Sequence, residues 1–179
     1  MPVKPIWKGL IAAAASGLSG CWFGAPKTTY HVDDPYNFLT AAAMHGIVPV
    51  MVVGEPYPDK RDQVEAAVVA AFARNFTTLG TPFRAAPPTP GAGIKVVVIF
   101  NAVGTPPARK VCEDPTQVAT EAAKARTSAA AVFCGDGPYS EYWLSFPAPQ
   151  SPEDPKFTDM MNRLAYFAIP REPNPERGR

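Results

Sequence analysis

Residues 94–101 read Ile-Lys-Val-Val-Val-Ile-Phe-Asn (IKVVVIFN), and this stretch decides the fold of the 179-residue chain. From Val96 to Phe100 both alternating sets of positions are apolar. Side chains of a strand point to opposite faces in turn, so an apolar residue at every position means that both faces are covered. The segment therefore reads as a central strand with layers above and below it, and the rest of the chain has to supply those layers.

Working outward, Ile47–Val53 (IVPVMVV) is a second uncharged, β-branched run, with Pro49 at the strand start or on an edge because it lacks an amide donor. Arg61 to about Phe76 is helical. Val64, Val68, Ala71, Phe72 and Phe76 share one face, while Arg61, Asp62, Glu65 and Arg74 mark a wetter one. Residues 79–93 hold four prolines and three glycines and read as an irregular excursion anchored by Phe83. A proline-rich loop at 104–110 (GTPPARK) leads to Cys112. Asp114-Pro115 with Gln117 then has the form of a capped helix start, and an alanine-rich helix is expected to run to about Arg126.

Ser128–Cys134, the turn GDGP and Tyr139–Phe146 read as a hairpin. In its second strand Tyr142, Leu144 and Phe146 should face the core, and Glu141, Trp143 and Ser145 should be wetter. A last helix from about Pro155 to Ala168 carries Phe157, Met161, Leu164 and Ala168 on one face. Asp34-Pro35 caps a short helix to about Met44, and the charged, proline-rich tail from Pro170 reads as disordered. In order these elements predict one small α/β domain over residues 35–169, with α+β as the alternative. Its mixed sheet of about four strands is packed by helices.

The N-terminus has a different composition. Lys4 and Lys8 give a positive start without acidic residues, Gly9–Gly17 (GLIAAAASG) is apolar, and Leu18-Ser19-Gly20 lead to Cys21. A positive segment, a short apolar core and small residues before a cut describe a secretory signal peptide, and the apolar run is too short to span a bilayer. Leu18-Ser19-Gly20-Cys21 resembles the lipobox of bacterial lipoproteins. The resemblance implies that residues 1–20 are removed and that Cys21 becomes a lipidated first residue, followed by a tether to residue 34. Several acyl chains give stable anchoring where one does not. In that family an aspartate after the cysteine retains the protein in the inner membrane. Trp22 stands here, which implies the outer membrane, facing the periplasm. The body also resembles uncharacterised proteobacterial lipoproteins in its order of strand, proline loop, helix, VVVIFN, Cys and FCG, and this implies no activity.

With Cys21 assigned to the anchor, Cys112 and Cys134 remain as a pair in an oxidising compartment, where a disulfide is expected. Two buried thiols or a metal pair are the alternatives. Metal needs further ligands, and His31 and His45 have no ligand spacing to them. Redox work is disfavoured because the two cysteines are far from a C-x-x-C arrangement. The charge balance of 17 Lys and Arg against 16 Asp and Glu lacks the basic excess of a nucleic-acid binder.

No catalytic constellation is visible. There is no G-x-S-x-G elbow, and GAG at 91–93 precedes a strand rather than a helix. His31 sits in the polar HVDD tether and His45 at a helix end, both solvated positions. Two patches stand out for binding. Tyr57 and Asn101 follow strand ends, where open sheets place ligands. Tyr139, Tyr142 and Trp143 concentrate aromatic surface on the hairpin. The expected activity is that of a lipid-anchored envelope module for binding or assembly, with the membrane and an envelope protein as partners and no cofactor, metal or nucleic acid. The alternative is an envelope hydrolase working through acidic loop residues such as Glu55 and Asp114.

Overall fold

The computed structural model describes residues 28–80, 83–122 and 125–176. Cys21 and the lipobox lie outside the described residues. The elements are β1 (Thr29–Tyr30), α1 (Pro35–His45), β2 (Val48–Val53), α2 (Arg61–Asn75), β3 (Phe83–Ala86), β4 (Lys95–Phe100), α3 (Ala108–Glu113), β5 (Arg126–Cys134), β6 (Pro138–Pro147) and α4 (Pro155–Ala168). They form one mixed sheet in the order β1-β6-β5-β4-β2-β3. Parallel pairs join β2 to β3 and to β4, and the remaining pairs are antiparallel. The class is α+β, with six strands where about four were expected.

The IKVVVIFN stretch behaves as its composition demands. Val96, Val98 and Phe100 join a large core with α1, α2 and α4, whereas Val97 and Ile99 join a smaller one on the opposite face. Both sets are buried to within 1 %. The smaller core is closed by α3 through Val111 and Cys112, and Cys112 is disulfide-bonded to Cys134 of β5 at a Cα separation of 5.5 Å. The apolar faces read for α2 and α4 are the faces they bury.

The two extra strands lie at the edges, where sequence signals are weakest. β3 falls inside the stretch expected to be irregular. It is four residues long, aligned parallel with β2 from Val48↔Phe83 to Met51↔Ala86, and held by buried Phe83 against Phe72 and Phe76. β1 falls inside the expected tether, and among the described residues it pairs Thr29↔Glu141 and Tyr30↔Ser140.

The helix expected from Asp114 to Arg126 does not form. Asp114 does cap, its carboxylate accepting from Thr116 N at 3.0 Å, and Pro115 does open a turn, but that turn is a single 3-10 stretch, Pro115–Gln117. The backbone beyond it is drawn into extended pairing with the end of β4. Val103 N donates to Ala119 O at 2.9 Å and Glu121 N to Asn101 O at 2.9 Å, with Ala102 bridging Thr120. The helix is one segment earlier, at α3, where Pro107 precedes its first turn. The tail, expected to be disordered, lies on the body as far as residue 176. Asn174 N donates to Asp33 O at 2.7 Å, and the Arg171 guanidinium sits over the Phe76 ring.

Candidate functional site

β6 outruns its neighbour. On one side it pairs with β5 along its length, from Arg126↔Pro147 to Cys134↔Pro138. On the other, β1 stops at Glu141, and among the described residues no strand lies against Tyr142 to Pro147. α4 crosses above this bare stretch, and between them is a groove of about 850 Å³.

Local chemistry fixes both walls. Asp154 starts α4 by accepting from Lys156 N at 2.9 Å and Gln150 N at 3.1 Å, with Pro155 in the first turn. Those amides hold its carboxyl below the usual carboxylate range. Phe157 stacks on Phe100 and anchors the start of the helix in the core. At the other end Ser140 Oγ, fully buried, donates to Ala168 O at 2.5 Å. Tyr142 stacks on Phe167 with ring centroids 5.0 Å apart. Burial pushes the Tyr142 hydroxyl up, and the nearby Arg163 charge offsets part of that.

The lining divides by chemistry. Leu144, Phe146 and buried Met160 supply apolar surface, while Lys156 and Arg163 project from α4 with Asp159 between them. Across the edge of β6, Arg126 of β5 contributes a further cation. Its Nη2 donates to Ser145 O at 2.9 Å and its Nε to Ser145 Oγ at 3.3 Å. Three cations thus face one carboxylate around an apolar floor, an arrangement suited to a ligand that is both anionic and partly apolar.

Of the five residues expected to bind, Tyr142 and Trp143 line this groove and the other three do not. Tyr57 is a packing residue. Its hydroxyl donates to Pro149 O at 3.1 Å, its ring meets Phe157 edge-on, and burial together with the charges of Asp154 and Glu153 pushes it up to about 12. Asn101 is 6 % exposed and knits strand ends together. Its Oδ1 accepts from Ser128 N at 3.0 Å, and its backbone N donates to Ser128 O. Tyr139 packs between Phe38 and Phe133 and fills the space beside Gly135. Trp143, expected on the wetter face, is half-buried against the smaller core, and its Nε1 donates to Glu141 Oε2 at 3.0 Å.

The acids considered for hydrolysis have local uses. Glu55 pairs with Arg61 at 3.7 Å and Asp114 caps its turn. His31 Nε2 lies 3.2 Å from Glu141 Oε1. Among the described residues no cluster of three or more His, Cys, Asp or Glu could hold a metal, and no helix is long and apolar enough to cross a membrane. Sequence reasoning missed Arg126, Leu144, Phe146, Lys156, Met160 and Arg163. The available signal was the Lys156–Arg163 repeat of one cation every seven residues, two helical turns, which keeps both on one face of α4.

No family model, curated protein or solved structure matches the chain.

Proposed function

We propose that the protein is a lipid-anchored cell-envelope module for binding or assembly, and that its contact surface is the β6–α4 groove. The groove carries this reading: it combines a strand edge that is bare among the described residues, an apolar floor and an excess of cations in one recess. The lipobox-like Leu18-Ser19-Gly20-Cys21 supports the anchor, with the outer membrane as its destination and the disulfide suited to the periplasm.

The test of the contact surface is in-cell photocrosslinking. A photoreactive side chain at Phe146, inside the groove, should yield adducts of discrete mass. The same group at Val103, which is 59 % exposed on another surface, should not. Equal yields at both positions, or none at Phe146, would remove the groove as the contact surface. For the anchor, Cys21→Ala should leave an unprocessed precursor that no longer incorporates labelled palmitate. Unchanged processing and labelling would refute it.

A further inference from the structure

We propose that the groove receives an extended peptide segment of a partner protein, which adds to β6 as a further strand and presents acidic side chains to α4. The inference rests on the groove being the contact surface and specifies what it contacts. Backbone direction is the first argument. Tyr139 O accepts from His31 N at 2.9 Å and from Val32 N at 3.2 Å, so the backbone groups of Tyr139 point to the outer side of β6. Beyond the register shift at Tyr139 the direction is fixed from β5. Ser128 O accepts from Asn101 N on the β4 side, so Ser145, opposite Ser128, and at alternate positions Trp143 and Glu141, turn their backbone outward. Glu141 meets Thr29, but Trp143 and Ser145 lie where β1 has already ended.

Of those outward groups, Ser145 O is met by Arg126 Nη2. Among the described residues nothing meets the N–H and C=O of Trp143 or the N–H of Ser145, which can template an incoming strand as an exposed edge does. Tyr142 to Pro147 would take about 20 Å of extended peptide at roughly 3.3 Å per residue.

Charge supplies the second argument. Side chains of an added strand alternate between the α4 face, with Lys156 and Arg163 beside Leu144 and Phe146, and the opposite face, with Arg126 beside Trp143. The α4 face pairs an apolar wall with two cations against one acid, Asp159, whereas on the opposite face the Glu141 carboxylate beside Trp143 balances Arg126. A strand that turns acidic and apolar residues toward α4 satisfies that wall, and a basic one does not.

Anisotropy of a fluorescein-labelled octapeptide alternating glutamate with valine, titrated with the full chain in detergent, tests this. Saturable binding is expected, about tenfold weaker for the lysine–valine peptide and for the doubly reversed Lys156→Glu/Arg163→Glu variant. Methylating alternate peptide nitrogens blocks one edge only, so one methylated set should lose binding and the other keep it. Equal binding of both sets, equal binding of the basic peptide, or no binding would overturn the proposal. So would displacement by phosphatidylglycerol vesicles with no edge dependence, or a tenfold gain on deleting residues 22–27, which would make this chain's own segment the occupant. If Phe146 still crosslinks in cells while N-methylation has no effect, the groove remains the contact surface and the added strand alone is refuted.

Discussion

Asn101 holds a left-handed backbone, φ +51°, while buried at the end of the central strand. Asparagine tolerates that region better than most residues, and here its Oδ1 also receives the Ser128 amide. Its Nδ2 has no hydrogen-bond partner among the described residues. Asn101→Ala combines backbone strain with an orphaned buried amide and should cost about 2–3 kcal/mol, with Asn101→Gly about half that, read from urea denaturation. Gly54 is constrained by space as well as by φ, +85°. A Cβ there would stand 2.5 Å from Phe100 O, so Gly54→Ala should destabilise at least as much as Asn101→Ala.

Tyr57 gives a pH signature. Its hydroxyl titrates near 12 in the folded chain against a reference of 10.0. Between those values the unfolded chain has released a proton that the native chain keeps, so stability is full below about pH 10 and falls as pH rises toward 12. Tyr57→Phe should flatten that fall in urea denaturation measured across pH 9–12. An unchanged slope would assign the alkaline loss to Tyr30 and Tyr142, whose hydroxyls burial also raises.

Helices α2 and α4 were legible because their apolar positions recur at helical spacing, and the stripes from Val64 to Phe72 and from Phe157 to Ala168 are the buried ones. β4 was legible from composition alone. The expected helix after Asp114 failed for a reason local pattern does not carry: the cap and proline were real, but Val103 and Asn101, distant in sequence, captured the backbone that would have continued it. β3 and β1 escaped notice because edge strands of four and two residues take their stability from the neighbour they pair with. The candidate groove was legible in the same partial way. Tyr142 and Trp143 announce themselves as aromatics, but the bare edge beside them depends on β1 ending early.

The Cys112–Cys134 bridge ties α3, a helix of six residues, to β5 across the smaller core. Its separation of 22 residues makes it worth about 3 kcal/mol in the chain-entropy model. The Cys112→Ala/Cys134→Ala variant should lower the urea-derived stability by roughly that amount. It should also expose Trp143, seen as a red shift of tryptophan emission relative to the native chain.

At the scale of the whole molecule, β1, β6 and the end of α4 form one corner. Thr28 Oγ1 donates to Phe167 O at 2.8 Å, and Tyr30 and Asp33 reach Glu172 and Asn174. The two ends of the described chain therefore meet, and the connectivity comes close to a closed ring. Where the polypeptide is cut becomes nearly arbitrary for such a ring. A circular permutant that joins Glu176 to Thr28 by a short glycine–serine linker, with new ends between exposed Thr89 and Pro90, should keep a single cooperative urea transition and the native far-UV spectrum. The same groove would then sit on a molecule whose two ends leave from the opposite edge, beside β3.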